Sequence, residues 1–259
     1  MLSFDKYASE GERFGYELFA RAGLPTPRVL GWDAQAGILS LEDLRKTHES
    51  GRGQPERMVD MAADLHAAFW EDYEAFREIG LPWRLENRGN YRRHCKAMEK
   101  HYGIYRKTHK MDDGVFRQAL AHLRKQMLEM LDTRFHAGKN ITIRHGDLHP
   151  DNILLPKGED GRAVFIDLGG LCIGLGAEDL AKLLLLHIAP EKEQALPLLE
   201  RYHGRLCGRV NGYAFETLLD DYRVAMAEAL FLPVKLHLQK GFDVSAMLEK
   251  AARGWLSFQ

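Results

Sequence analysis

An aspartate, an asparagine and a second aspartate stand at spacings that suit phosphoryl transfer. Asp147 and Asn152 lie five residues apart, and Asp167 follows the apolar run Val164-Phe165-Ile166. Phosphoryl transfer needs an acceptor hydroxyl held in line and a phosphate charge neutralised by metal. Asp147 would orient the hydroxyl and accept its proton, whereas Asn152 and Asp167 supply the oxygen ligands that Mg²⁺ prefers. These residues predict a phosphotransferase site.

Short strands must bring the three side chains together. Ile141-Thr142-Ile143 is an apolar strand ahead of Asp147, and two further apolar runs cover 152–155 and 163–166. A polar segment at 156–162, rich in turn-forming residues, joins these two runs, which is typical of a hairpin. Pairing of the two runs would place Asn152 beside Asp167.

A different chemistry is encoded by overlapping residues. His145, Asp147 and His149 form a His-x-Asp-x-His cluster, which could ligate a transition metal in a hydrolase. No further His or Asp cluster of ligand spacing follows, so this alternative ranks second. In the kinase interpretation, His145 supports the loop by hydrogen bonds.

The same residues resemble those of the aminoglycoside phosphotransferase and choline kinase superfamily. The segments Leu65 to Trp70, Leu81 to Trp83 and Tyr202 to Leu206 are similar to the ecdysteroid-kinase-like (CHK kinase-like) branch, and matching segments run from about Glu12 to Pro233. The resemblance implies an ATP- and Mg²⁺-dependent enzyme that phosphorylates a hydroxyl of a small molecule. It leaves the acceptor open among aminoglycosides, choline, steroids, amino acids and sugars.

The resemblance also implies the fold class, an α+β protein-kinase-like fold with two lobes. Residues 1–44 would form a partial N-lobe and hinge, small, β-containing and shortened at the N-terminus. Residues 45–259 would form a mainly helical C-lobe that carries the catalytic loop and the metal-binding hairpin, so that the chain is one catalytic unit.

In kinase-like folds a glycine-rich hairpin covers the ATP phosphates, and a lysine on the third strand contacts them. Lys6 is the candidate for this lysine, with Glu12, or alternatively Glu10, as its helix partner; the competing interpretation is an ordinary surface lysine. No glycine-rich hairpin fits before Lys6. Either the chain starts downstream of the true start or the lobe is short. A non-catalytic nucleotide- or ligand-binding protein is therefore a second hypothesis. Adenine would contact hinge backbone groups, for which the candidates are Leu41, Glu42 and Leu44.

The remaining candidates lie towards the C-terminus. Asp179 stands where a helix begins, within an Asp-Leu-Ala element of the family, and is expected to support the structure. Helices after this point usually build the acceptor pocket in the family. The substrate candidates on them are Tyr202, His203, Tyr213, Asp221, Tyr222 and Arg223.

Composition sets bounds on the partners. The chain has 259 residues, 45% of them hydrophobic, which is enough to bury a substantial core. With 36 basic and 37 acidic residues, the net charge of −1 does not suggest binding to nucleic acid. An odd number of cysteines, three, fits a reduced protein, and the longest apolar run, 183–189, is too short to cross a membrane. We expect a cytoplasmic protein without membrane contact; nothing in the sequence indicates its oligomeric state.

Periodicity predicts the main elements. Helical spacing covers Glu12 to Ala22, Met58 to Phe69, Val115 to Met130, Gln194 to Gly208 and Glu216 to Leu230. Residues 28–32 and 38–41 are predicted to form a hairpin. The polar segment 45–54 is predicted to be an exposed loop.

Overall fold

The computed structural model describes residues 3–83, 88–109, 114–134, 139–158 and 161–259. Its strands are β1 (Ser3–Tyr7), β2 (Val29–Asp33), β3 (Ile38–Glu42), β4 (His48–Ser50), β5 (Ile141–Arg144), β6 (Ile153–Pro156), β7 (Val164–Phe165) and β8 (Cys172–Leu175). Its α-helices are α1 (Glu10–Arg21), α2 (Pro55–Ala68), α3 (Tyr73–Ile79), α4 (Arg88–His109), α5 (Gly114–Arg134), α6 (Gly176–Ala181), α7 (Lys192–Cys207), α8 (Phe215–Ala229), α9 (Leu232–Lys240) and α10 (Ser245–Ser257). The predicted helices correspond to α1, α2, α5, α7 and α8.

A small antiparallel sheet and one helix form the N-terminal part. The strand order is β1-β3-β2, and the predicted hairpin is confirmed by the pairing of Trp32 with Leu39. Helix α1 begins where the Ser9 side chain accepts a hydrogen bond from the Glu12 N–H, a regular N-cap. Its buried face packs on the short 3₁₀ turn Leu168–Gly170, which directly follows Asp167. This contact joins the N-terminal part to the segment that carries Asp167.

A second sheet has the strand order β4-β6-β7. Ile153 pairs with Phe165, which confirms the predicted hairpin between Asn152 and Asp167. The expectation of an exposed loop over 45–54 was wrong in part, because residues 48–50 pair with Leu154 to Pro156 as an edge strand. The polar composition of this segment fits an edge strand, which carries one unpaired side.

A third, two-stranded ladder positions the loop that carries Asp147. Strands β5 and β8 pair antiparallel from Ile141 opposite Leu175 to Arg144 opposite Cys172, and all eight residues are buried. Because both strands end inside the core, the loop that follows Arg144 starts from a rigidly held residue.

Helices build most of the remainder. The helix α6 continues into a π-helical turn, Lys182–Ile188, in which the four leucines 183–186 are buried. Helix α2 packs along α7, and α8 packs against α6. The proposed division at residue 44 falls in the link between β3 and β4 and stays a prediction. None of the helices in the described ranges is long and apolar enough to cross a membrane.

Candidate active site

The loop 145–152 begins directly at the end of β5, and the buried carboxylate of Asp179 holds its first turn. The N–H groups of His145 and Gly146 donate to the two Asp179 oxygens at 2.7 and 3.0 Å. Gly146 has φ of 76°, and a Cβ there would lie 2.0 Å from the Gly170 carbonyl oxygen. Only glycine fits this close approach without a backbone shift.

His145 connects the loop to the strand that precedes Asp167. Its Nε2 donates to the Ile166 carbonyl at 3.0 Å, and its Nδ1 accepts a long bond of 3.4 Å from the Asp147 N–H. Burial lowers the pKa of His145, so the ring is neutral. Both ring nitrogens are thus engaged inside the protein.

Asp147 and Asn152 face each other across the loop. The Asp147 side chain is 43% exposed, and Lys182 forms an ion pair with its Oδ1. Asn152 is buried and donates from Nδ2 to the Asp147 carbonyl at 2.9 Å and, more weakly, to Asp147 Oδ2 at 3.5 Å. The His149 Nε2 lies 3.8 Å from Asp147 Oδ2. The structure therefore brings the expected base and the expected amide ligand together.

Asp167 meets the N-terminal sheet through Lys6. The Lys6 Nζ lies 2.8 Å from Asp167 Oδ1 and 2.6 Å from Glu12 Oε1. Asp167 itself has left-handed backbone angles, φ 61° and ψ 56°, and its N–H donates to the Tyr16 hydroxyl at 3.2 Å. Non-glycine residues adopt this conformation at a cost of about 1–2 kcal/mol, so the surrounding contacts must hold it.

Asp167 and Lys6 shift each other's pKa. Burial alone would raise the pKa of Asp167, but the ammonium group of Lys6 holds it below its ordinary value. Burial would lower the pKa of Lys6, and the hydrogen bonds to Asp167 and Glu12 raise it instead. Both groups are therefore charged at neutral pH. Of the two acidic candidates, Glu12 contacts Lys6, whereas Glu10 pairs with Arg13.

The hinge candidates lie at and after the end of β3. Leu41 is buried and pairs with Phe4 of β1. The Glu42 N–H donates to the Arg28 carbonyl at 2.9 Å, and the Leu44 carbonyl accepts from two N–H groups of the following turn. These two backbone groups already have partners within the protein.

The histidine-based metal site gains no support from this geometry. His145 uses its two ring nitrogens on the Ile166 carbonyl and the Asp147 N–H, and His149 Nδ1 accepts from the Asp151 N–H at 3.2 Å. Within the described ranges, no three His, Cys, Asp or Glu side chains are grouped to hold a metal ion.

A cavity of about 410 Å³ opens beside Asp147. Lys182 lines it at the junction of α6 and the π-helical turn, a kind of irregularity that often occurs at functional sites. Sequence analysis missed Lys182; the available signal was a single lysine at the start of a leucine-rich run, where an ammonium group needs a carboxylate or solvent. Burial, and then the charges of Lys235 and Arg144, lower the pKa of Lys182 to about 8, while its ion pair with Asp147 favours the charged form.

None of the six substrate candidates is among the described residues that line this cavity. Tyr202 is buried and bonds to His66, and Tyr213 donates to buried Asp221 at 2.9 Å. The others are engaged elsewhere: His203 with the Tyr213 carbonyl, Tyr222 in the core, and Arg223 with Asp220. Helix α8 does line the cavity, but with residues further along: Ala225, Glu228 and Ala229.

Solved structures of small-molecule kinases share this fold. Choline kinase LicA from Streptococcus pneumoniae aligns over 98% of this chain and 86% of its own, with 16% identity and a TM-score of 0.59; it has also been solved with AMP. The GDP complex of aminoglycoside 2'-phosphotransferase-IIIa aligns over 95% of this chain and 81% of its own, with 14% identity and a TM-score of 0.62. Plasmodium vivax ethanolamine kinase aligns over 99% and 75%, with 10% identity and a TM-score of 0.57. The fold is that of the two-lobed, protein-kinase-like phosphotransferases.

The family follows from the sequence itself. The model of the APH phosphotransferase enzyme family matches residues 10–217, and this chain belongs to that family. None of the curated protein sequences matches it. The predicted superfamily is thus confirmed, while the ecdysteroid-kinase-like branch stays a prediction.

Proposed function

We propose that this protein is an ATP- and Mg²⁺-dependent kinase that phosphorylates a hydroxyl of a small molecule. The observation that carries the proposal is the arrangement of two pairs, Asp147 with Asn152 and Asp167 with Lys6. The two halves meet where the Ile166 N–H donates to the Asn152 carbonyl at 3.1 Å. These residues come from three separate segments of the chain. The kinase fold and the family support phosphoryl transfer, and the AMP and GDP complexes of relatives support a nucleotide as donor.

Each residue has a role that its environment fits. Asp147 is partly exposed towards the cavity and pairs with the ammonium group of Lys182, so its carboxylate can orient an acceptor hydroxyl and accept its proton. In a loose transition state this positioning matters more than the strength of the base. Arg144, paired with Glu178, lines the same cavity.

The donor set near Asp167 fits a magnesium ion. Asn152 uses its Nδ2 towards Asp147, which leaves its Oδ1 as a neutral oxygen ligand, and Asp167 offers a carboxylate that is 49% exposed. Bound there, Mg²⁺ would neutralise charge on the phosphates of the nucleotide. Lys6, held by Glu12, is the candidate to contact those phosphates, and the backbone of Leu41 to Leu44 is the candidate for adenine.

The substitution Asp147→Asn tests the central assignment, and Asp151→Asn is its matched control. Asp151 lies in the same loop, is 48% exposed and pairs with Arg52, so the control removes a similar charge. Transfer of labelled γ-phosphate from ATP to a panel of hydroxyl compounds is measured alongside calorimetric nucleotide binding. We expect Asp147→Asn to lower transfer by about 10²–10⁴-fold with little change in nucleotide affinity.

The alternatives give different results. If the two variants transferred phosphate equally well, Asp147 would have no role in the reaction. Nucleotide binding without transfer to any acceptor, in the wild type as in Asp147→Asn, would favour a non-catalytic binding protein.

A further inference from the structure

Helix α9 contributes two lysines to the lining of the cavity beside Asp147. Five residues of this helix line it at the spacing of one helical face: Leu232, Lys235, Leu236, Gln239 and Lys240. Lys235 and Lys240 are exposed, and neither forms an ion pair with any residue in the described ranges. Two lysines therefore contribute uncompensated positive charge to the rim.

Three of the four acidic residues of the same cavity are engaged. Glu178 is paired with Arg144, and Glu228, the fourth, is half-buried and forms no ion pair within the described ranges. Asp179 is buried, with its oxygens bonded to backbone N–H groups. Asp147 is paired with Lys182. Beyond these pairs, the two exposed lysines Lys235 and Lys240 stand against the single carboxylate of Glu228. The charge that remains available to a ligand is therefore positive, in keeping with the lowered pKa of Lys182 beside Lys235.

Aromatic rings are scarce in this cavity. Phe231 is the one aromatic residue among its described lining residues. Recognition of a quaternary ammonium group uses the faces of several aromatic rings, which attract the cation through their quadrupoles. The lining thus lacks the usual means of holding a choline-like acceptor.

We infer that the cavity takes a hydroxyl compound that carries an anionic group, a carboxylate or a phosphate monoester, held by Lys235 and Lys240 while its hydroxyl lies at Asp147. This inference rests on the proposed kinase function. It predicts a preference opposite in charge to the choline and ethanolamine named for structurally similar kinases. Charge complementarity of this kind selects ligands by repelling the wrong sign as well as by attracting the right one.

Four small primary alcohols separate the possibilities: D-glycerate, glycerol 3-phosphate, glycerol and choline. We expect kcat/KM for ATP-dependent phosphorylation to fall from the anionic compounds through glycerol to choline, and added salt to weaken only the anionic ones. The ranking of glycerate against glycerol 3-phosphate distinguishes a carboxylate site from a phosphate site. Phosphorylation of choline alone would overturn the inference and leave the proposed function standing.

The double variant Lys235→Gln/Lys240→Gln tests the lysines, with Lys125→Gln as control. Lys125 is exposed on α5 and does not line the cavity. We expect the double variant to lower kcat/KM for the anionic compounds about 10-fold, the effect of two partly screened ion pairs, and to leave glycerol and the control unchanged.

A binding measurement decides the charge preference even if no compound is phosphorylated. Calorimetric titration compares glycerol 3-phosphate with choline on the wild type and the double variant. Tighter choline binding, anion binding that survives loss of both lysines, or no anion binding in the millimolar range would overturn the inference. Absence of transfer to every compound, with lysine-dependent anion binding intact, would count against the kinase reaction only.

Discussion

Replacing the buried carboxylate of Asp179 by an amide tests whether one side chain holds the loop 145–152. Hydrogen bonds to a charged acceptor contribute about 1.5–3 kcal/mol each, and Asp179 accepts two from the N–H groups of His145 and Gly146. The amide of Asp179→Asn keeps one acceptor oxygen but turns an NH₂ group towards the other donor. We expect the free energy of unfolding to fall by about 3 kcal/mol, a large part of the roughly 5–15 kcal/mol typical of a domain.

The loss should depend on pH in a defined direction. Burial alone would raise the pKa of Asp179, but His66 and Arg144 hold it below its ordinary value. A carboxyl with a depressed folded-state pKa stabilises the protein above its unfolded-state pKa, about 3.9, and loses this contribution as the pH falls through the folded-state pKa. The difference in the free energy of unfolding between wild type and Asp179→Asn should therefore be largest at neutral pH and become smaller below about pH 4.

Denaturant unfolding at neutral and acidic pH measures both effects. The matched control is Asp220→Asn on α8, whose side chain is 62% exposed and pairs with Arg223 one turn away. We expect the control to change the free energy of unfolding by less than about 0.5 kcal/mol. A loss in Asp179→Asn below about 1 kcal/mol, or one that does not vary with pH, would refute the assignment of Asp179 as the anchor of the loop.

Two further predictions concern the same loop. Gly146→Ala should lower the free energy of unfolding by about 3 kcal/mol or more, because the new Cβ would meet the Gly170 carbonyl. The control Gly53→Ala has a similar φ of 79° and nothing within 4 Å of the new Cβ, so it should cost about 1 kcal/mol. Equal losses of the two variants in thermal unfolding would contradict this prediction. If the ammonium form of Lys182 orients Asp147, kcat/KM should fall above about pH 8, where Lys182 loses its proton, and Lys182→Met should remove that alkaline limb. A limb that persists in the variant would assign the titration to another group.

Local spacing was enough to predict that the loop with Asp147 and Asn152 lies next to the segment with Asp167. Asp147 and Asn152 are separated by a single loop, and Asn152 and Asp167 are joined by a hairpin, so the sequence distance between them limits their distance in space. Both strands are continuous apolar runs, and the short polar link between them limits the registers in which Ile153 can lie opposite Phe165. Few other conformations of so short a segment bury these strands.

Contacts between distant segments were harder to predict. Lys6 and Asp167 are separated by 161 positions, and only the packing of α1 on the turn after Asp167 brings them to 2.8 Å. The contact of Glu12 with Lys6 could be expected from the position of Glu12 in the first turn of α1. The contact of Lys182 with Asp147, in contrast, depends on the direction in which α6 leaves β8. A lysine before a leucine-rich run is more commonly a solvated residue at a helix surface, so its sequence context was only a weak signal for a contact with Asp147.

The predicted substrate residues show why polar residues in a sequence do not by themselves locate a pocket. Tyr202 and Asp221 are polar residues on otherwise apolar helix faces, which is the pattern of a pocket and also of a buried hydrogen-bonded pair. The structure gives them partners, His66 and Tyr213, inside the core. Lys235, in contrast, resembles any exposed lysine, and only the direction of α9 places it at the cavity. The loop and hairpin that carry Asp147, Asn152 and Asp167 are therefore fixed by short-range spacing, whereas the position of Lys6 and the lining of the cavity are fixed by the packing of distant segments. If the cavity holds the acceptor as inferred, substitutions on α9 should change which acceptor is used without altering the residues proposed to carry the chemistry.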